Sequence, residues 1–299
     1  MLASVQAQTI SSWELILVDD GSKDETTVIA EQFASRDQRI RVFRQQNAGP
    51  SAARNRGYTA TNPDSKYIIF LDADDAWEKD ALETLMGVLE RYPDALAANG
   101  VALYMDADGQ FIENEIYEHH QRQRWGIEGN RIVCWPTNKP TTFAVEALIE
   151  RIITAGTVLI RRKALEVAGL WDPNLRMWED WDLWLRICLH GDIAFTDKVV
   201  LRYRRHDSNI SNDEQEVEIG ELRIRQRLIA SLQGDEKHLA IAVAGLRHRK
   251  KCTSLQFWYM AKKAWLRREP IAALKWARRA AIYYQKYLFQ SNRLIDTSV

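Results

Sequence analysis

Tyr67-Ile68-Ile69-Phe70-Leu71-Asp72-Ala73-Asp74-Asp75 is the stretch that decides the fold. Residues 67–71 are an unbroken apolar run, the pattern of a strand buried on both faces of a parallel sheet. The run ends abruptly in carboxylates. Upstream the same design recurs: residues 13–18 read as a strand that stops at Asp19-Asp20-Gly21-Ser22. Apolar residues at helical spacing follow over 26–35 (Val28, Ile29, Phe33), then a short strand at 40–44. The loop Asn47-Ala48-Gly49-Pro50-Ser51 leads into a helix over 52–59. Downstream, an amphipathic helix at 81–92 precedes Pro93. A strand at 95–105, another at 157–160, helices at 162–168 and 180–190, and further strand at 193–203 complete the pattern. Strand–helix alternation at this spacing predicts a doubly wound α/β sheet, and such sheets bind ligands beyond the carboxyl ends of their strands. Both acidic clusters fall there. Residues 1–9 read as the end of a helix, and 110–148 as a polar, poorly patterned, mobile insert. Everything from 215 onward reads as helix.

A chain of 299 residues allows one or two domains of roughly 100–200 residues each. With 46% hydrophobic and 27% charged residues it is neither disordered nor fibrous. Its formal charge is zero, from 41 basic and 41 acidic residues, which argues against a nucleic-acid binder. The zero conceals an asymmetry: residues 221–299 hold 17 basic against 5 acidic residues, and residues 1–220 hold 24 against 36. Tryptophan is also concentrated, with four of eleven at 171–184 and three at 258–276. Cys134, Cys188 and Cys252 are scattered, which excludes a disulfide framework and a cysteine metal site. No apolar stretch reaches the ~20 residues of a spanning helix. A cytoplasmic setting is expected.

Several motifs could carry chemistry. Asp72-Ala73-Asp74 offers two hard oxygen ligands of the kind that hold Mg²⁺ or Mn²⁺ beside phosphates, although acidic turns are also common at strand ends. One carboxylate of Asp19-Asp20 could accept a nucleobase N–H; the same residues also suit a turn before a capped helix. Arg54, entering a helix from a glycine loop, suits a base carbonyl or a phosphate, or a local ion pair. Glu179-Asp180 opens a helix, where acids favour the dipole, and a carboxylate among tryptophans is also a fit general base. His206 is either a core histidine or a metal ligand.

Taken in order, these blocks resemble a family 2 glycosyltransferase of the GT-A fold. The resemblance is carried by Gln8-Thr9, by Trp13-Glu14-Leu15-Ile16 with Val18-Asp19-Asp20-Gly21-Ser22, and by Asn47 to Asn55. It continues through Phe70 to Asp75, Gly169-Leu170-Trp171-Asp172, Glu179 to Arg186, and Tyr203-Arg204-Arg205-His206 with Asn209-Ile210-Ser211. It covers about residues 1–212 and implies a Rossmann-like, mostly parallel sheet flanked by helices, with an all-α extension over 213–299. It implies an inverting, metal-dependent enzyme that moves a sugar from a nucleotide donor, UDP-linked, to a glycan or lipid-linked acceptor in cell-surface polysaccharide synthesis. Asp20, with Asp19 beside it, matches the base-recognising aspartate, and Arg54 the basic residue near the nucleobase. Asp72 matches the ribose contact, and Asp74 and His206 the holders of Mn²⁺ or Mg²⁺. Asp180 matches the catalytic base; Glu179 and Trp181 would shape the acceptor site, although at least one tryptophan of this helix is expected in the core.

The chain departs from the family pattern at its start, where Met1 falls within the helix that normally follows the first strand. The strand that would lie mid-sheet is absent, and a longer native chain or a decayed copy would each explain that. The basic clusters of the extension, Arg247 to Lys251 and Lys262 to Arg268, lie among Trp258, Trp265 and Trp276. They suit either a cap on the acidic domain or peripheral contact with an anionic membrane at its inner face. The alternative to an enzyme is a catalytically silent GT-A-fold binding or scaffold protein. A nucleotidyltransferase would need a glycine- and base-rich loop at its first strand, which is not seen.

Overall fold

The computed structural model describes residues 1–112, 122, 124–129, 131–148, 153–207, 209, 214–268 and 270–281. In chain order its elements are α1 (Leu2–Gln6), β1 (Leu15–Asp19), α2 (Thr26–Arg36), β2 (Ile40–Arg44), α3 (Pro50–Ala60), β3 (Tyr67–Ile68), β4 (Ala76–Trp77), α4 (Ala81–Arg91), β5 (Ala97–Met105) and β6 (Phe111–Ile112). There follow β7 (Arg124–Glu128), β8 (Arg131–Trp135), α5 (Phe143–Glu146), β9 (Val158–Arg161), α6 (Arg162–Ala168), α7 (Glu179–His190), β10 (Ile193–Arg204), α8 (Glu214–Ser231) and α9 (Glu236–Leu266). A further helical stretch covers 270–281.

The main sheet is mixed, in the order β3-β9-β5-β10-β4, with β6 also on β5. β9 runs antiparallel to both β3 and β5, and β5 runs parallel to β10. β3, β5 and β10 therefore point the same way, and their carboxyl ends share one edge. Alternate residues of each strand serve opposite faces, as a pleated strand requires. Ala97, Ile160 and Ile193 enter a core beneath α5–α9, whereas Ala98, Leu159 and Ala194 enter a second core beneath α1 and α4. α4 buries Leu82, Leu85, Val88 and Leu89, one apolar stripe at helical spacing.

The sheet is not continuous. β1 and β2 form a separate parallel pair. Among the described residues no ladder joins β1 to β3. The strand expected over 67–71 is laddered only at Tyr67 and Ile68, against Arg161 and Ile160. Ile69 to Leu71 pair with no strand among the described residues. Glu14 spans the interval instead, accepting from the Asn62 amide (2.6 Å), Ser65 Oγ (3.0 Å) and Arg41 Nη2 (2.7 Å).

Residues 110–148 hold more structure than their polar pattern suggests. β7 and β8 form an antiparallel hairpin, and Arg124 is fully buried beneath it. Its guanidinium donates to Thr141 Oγ1 (2.7 Å) and to the Lys139 and Pro136 carbonyls (2.7 and 3.2 Å). A buried arginine that satisfies backbone carbonyls breaks the usual apolar alternation, which hides the strand from a pattern reading. Part of the stretch read as mobile, residues 113–121, lies outside the described residues.

The first half of the extension packs on the domain. Ile224, Leu228, Ile229, Leu232, Ala242 and Leu246 join the core beneath α5 to α7. A buried pair, Glu221 with Arg225 (2.9 Å), is completed by Arg249, while Arg225 Nη1 donates to the Ala147 carbonyl (2.7 Å). An ion pair removed from water is stable only with its remaining donors satisfied, and this one meets that condition through the backbone carbonyl and the second arginine.

Candidate active site

Three loops and one helix start meet at the carboxyl edge of the sheet. The first loop follows β1. Asp19 is buried, accepting from the Thr27 hydroxyl and from the Ser22 amide (2.8 Å), with Arg44 at 3.4 Å. Those bonds, Thr27 foremost, pull its carboxyl down to about 2. Asp19, expected beside the donor, holds its own turn through the Ser22 amide and the Thr27 hydroxyl. Asp20 faces outward and fixes the second loop: it accepts from Gln45 Nε2 and from the Ala48 and Gly49 amides, each at 2.8 Å. Gly21 allows this approach. Its φ is +85°, and a Cβ there would lie 3.0 Å from the Asn47 nitrogen.

The second loop launches α3, with Pro50 at its first turn, where a missing N–H costs little. Arg54 leaves this helix toward the third loop. Its Nη2 donates to Asp72 Oδ1 (2.7 Å) and its Nη1 to Glu179 Oε1 (2.9 Å), and its guanidinium lies 4.5 Å from the centre of the Trp171 ring. Burial opposes its charge, but Asp72 and Glu179 outweigh that, so its pKa is raised. Asn55, the next residue, clamps Trp171 through two backbone bonds: Nδ2 to the carbonyl (2.8 Å) and the amide to Oδ1 (3.0 Å). Arg54 therefore ties the loop after β3 to the start of α7.

The third loop carries Asp72 and Asp74 in the open, with side chains 44% and 40% exposed. Asp74 Oδ2 lies 3.1 Å from His206 Nε2. The Asn209 side chain accepts from the His206 amide (2.6 Å) and fixes the turn. A carboxylate and an imidazole nitrogen so arranged suit Mn²⁺ or Mg²⁺, whose other positions are commonly filled by phosphate and water. Among the described residues no group of three or more His, Cys, Asp or Glu side chains converges as a complete protein cage. Beside the pair, Asp75 is buried and accepts from the Arg204 amide (2.9 Å). Burial pushes its carboxyl up to about 8, aided by Asp72 and Asp74 and opposed by that amide. Arg204 then braces the loop, donating to the carbonyls of Asp74 (2.8 Å), Asp106 (2.9 Å) and Ala107 (2.7 Å).

Asp180 stands in the first turn of α7. It accepts from its neighbour's amide, Trp181 N, at 2.7 Å. Burial pushes its carboxyl up to about 7; Glu179 and Asp72 add to the rise, and the Trp181 amide and Arg54 oppose it. A carboxylate poised near neutrality suits proton abstraction. The helix begins from Trp178 in the left-handed region, φ +64°, uncommon for a bulky residue and a local strain. α8 holds it there: Trp178 Nε1 donates to the Val217 carbonyl (2.7 Å), and a Cβ on Gly220 would sit 2.7 Å from the Trp178 ring.

Trp181, expected to shape the acceptor site or to lie in the core, is buried. It is 3% exposed, its Nε1 donates to the Glu146 carbonyl (3.1 Å), and Arg225 covers its ring at 4.9 Å. Helical spacing turns it inward, toward the core. Direct contacts thus join Arg54, Asp72 and Glu179 next to Asp180, and Asp74 with His206. Asp20 connects through the loop it fixes. Asn55, Arg204 and Trp178 are given no role by the sequence reading; Asn55 and Arg204 both stand in the quoted motifs. Ile210 and Ser211 lie outside the described residues.

Residues 1–168 match the model of glycosyl transferase family 2. The chain is 29% identical over 214 residues to the TuaG glycosyltransferase of Bacillus subtilis (strain 168), named for teichuronic acid biosynthesis, across 71% of this chain and 75% of that one. It is 28% identical over 203 residues to an uncharacterized glycosyltransferase of Rickettsia felis, across 68% of this chain but only 30% of that longer protein. The mannosyltransferase PcManGT from Pyrobaculum calidifontis, solved with GDP-Man and Mn²⁺, superposes with a TM-score of 0.57 at 15% identity, over 98% of this chain and 79% of that one. S. aureus TarS superposes at 0.58 with 16% identity, over 84% of this chain and 40% of that one. These likenesses mark the same GT-A-like fold.

Proposed function

Since the chain belongs to glycosyl transferase family 2, we propose that it transfers a sugar, with inversion, from a UDP-linked donor to a glycan or lipid-linked acceptor in cell-surface polysaccharide synthesis. Residues 1–212 form the catalytic domain in this reading and 213–299 a helical extension. The observation that carries it is Arg54, which binds the donor-loop carboxylate Asp72 and the Glu179 carboxylate at once, beside Asp180.

Asp72 and the Asp20-fixed loop cradle the nucleoside, and Arg54 holds Asp72 in place. Asp74 and His206 would hold Mn²⁺ or Mg²⁺, which when bound would supply positive charge to offset that of the departing diphosphate. Asp180 removes the proton from an acceptor hydroxyl, which then attacks the anomeric carbon from the side opposite the leaving group. Glu179 orients the acceptor beside it. The work takes place at the inner face of a membrane, without nucleic acid as partner.

The test is release of UDP from a panel of UDP-sugars, with Mn²⁺ or Mg²⁺ and after chelation. Asp180→Asn should lower turnover by about a thousandfold while donor still shifts the melting temperature. Asp74→Ala should remove the response to metal. The second reading is a silent binding protein of the same fold. Donor binding without release of UDP under any condition would establish it instead.

A further inference from the structure

The second half of the extension is built unlike the first. From Leu255 onward α9 exposes Leu255, Trp258, Tyr259, Trp265 and Leu266, with Trp258 at 52% and Trp265 at 70%. Leu255, Trp258, Tyr259 and Leu266 lie at positions i, i+3, i+4 and i+11, which share one helical face. Lys262 lies on that face too, at i+7, and Lys263 flanks it; both are exposed. The next helical stretch repeats the scheme: Ile271 (87% exposed) and Leu274 (75%) share a face with Lys275 and Arg278. Among the described residues of the same stretch the buried side chains are all small: Ala261, Ala264, Ala273 and Ala280. A cap helix does the reverse, burying its large residues.

We propose that this face docks on an anionic phospholipid surface, with the helices lying in the plane of the headgroups. The proposal deepens the membrane-face reading given above and rests on it. Charge supports this occupant: residues 221–299 hold 17 basic and 5 acidic residues, so lysines and arginines surround the apolar strip on a strongly positive segment. The side-chain chemistry supports it too. Trp and Tyr rings settle at the level of lipid headgroups, and long basic side chains reach from an apolar seat to phosphate. A nucleic acid would have no use for exposed Ile271 and Leu274. Among the described residues no helix is long and apolar enough to cross a membrane, so this contact is peripheral.

Flotation of the full chain tests it, using vesicles of phosphatidylcholine alone and with about 30% phosphatidylglycerol. The chain should float with the anionic vesicles at low salt, lose most binding at about 0.5 M salt, and stay behind with neutral ones. Trp258→Ala with Trp265→Ala, and separately Lys262→Gln with Lys263→Gln, should each cut the bound fraction about tenfold or more. All four residues are exposed and outside the site, so UDP release in free solution should not change. No flotation of the native chain, or flotation indifferent to both double variants, would overturn the proposal. So would a concentration-dependent dimer abolished by the tryptophan pair, which would assign the face to a second copy. UDP release is read on the same samples: its absence beside intact flotation removes the enzyme reading and leaves docking standing, and the converse does the opposite.

Discussion

Two groups of tryptophans have opposite fates in this molecule. Trp171, Trp178, Trp181 and Trp184 pack edge to face: Trp171 lies 5.9 Å from Trp184, and Trp178 lies 5.8 Å from Trp181. Three of their indole nitrogens donate to carbonyls, of Val217, Glu146 and Ile153. The Trp171 Nε1 is buried without an acceptor among the described residues. Trp258 and Trp265 stand in solvent among lysines. The residue type is the same, and what separates the groups is the company each keeps. The first group joins the core beneath α5 to α9, and Trp171 there meets the Arg54 guanidinium at 4.5 Å. Alanines and bases leave the second group exposed. Tryptophan content therefore says little about core size until charge is read beside it.

The contrast can be broken from either side. Trp184→Ala should cost the most, about 3–5 kcal/mol by denaturant unfolding, since it empties a fully buried site and orphans the Ile153 carbonyl. Gly220→Ala comes next. Helix propensity alone would favour alanine by about 1 kcal/mol. The new methyl would lie 2.7 Å from the rigid Trp178 ring, however, and the steric term wins. Trp178 should leave its left-handed conformation and move Asp180, lowering kcat about ten- to a hundredfold with little change in circular dichroism. An unaltered kcat would show that the strain at Trp178 has no part in catalysis. The third effect is on pH. Asp180 must be ionised to act, and its pKa is raised to about 7. The rate should therefore climb about tenfold per pH unit below 7 and level off above it. A flat profile between about pH 5 and 8 would remove Asp180 as the base. Smallest of all, Trp265→Ala should change stability by about 0.5 kcal/mol or less, measured in the same unfolding experiment.

Much of this site is legible in the chain, and the reason is local. Apolar runs that end in acids announce strand ends, so Asp20, Asp72 and Asp74 are found by reading along the sequence. Asp74 and His206 are far apart in the chain yet lie 3.1 Å apart, because parallel strands bring their carboxyl ends to one edge. What stays hidden depends on contacts between distant segments. The Trp178 backbone angle is held by α8, whose Val217 lies 39 residues downstream. Arg204 reads as one basic residue in a basic run, and only the fold reveals that it braces the loop of Asp74. Asp19 and Asp20 are adjacent in sequence and opposite in role because successive residues at a strand end face opposite ways. Trp181 follows from helical spacing alone, which already turned one tryptophan of α7 inward.

The interruption between β1 and β3 has a mechanical consequence. Within the larger sheet a shift of one strand breaks backbone hydrogen bonds. Between the β1–β2 ribbon and β3 no ladder runs among the described residues, and the Glu14 side chain and the packing of α3 supply the attachment. The ribbon bearing Asp20 is therefore a compliant arm against a stiff plate bearing Asp72 and Asp74. Such an arm adjusts its distance to the plate at small energetic cost. Its amides at 15–19 should exchange with solvent sooner than those of β5, and should slow once a nucleotide bridges arm and plate.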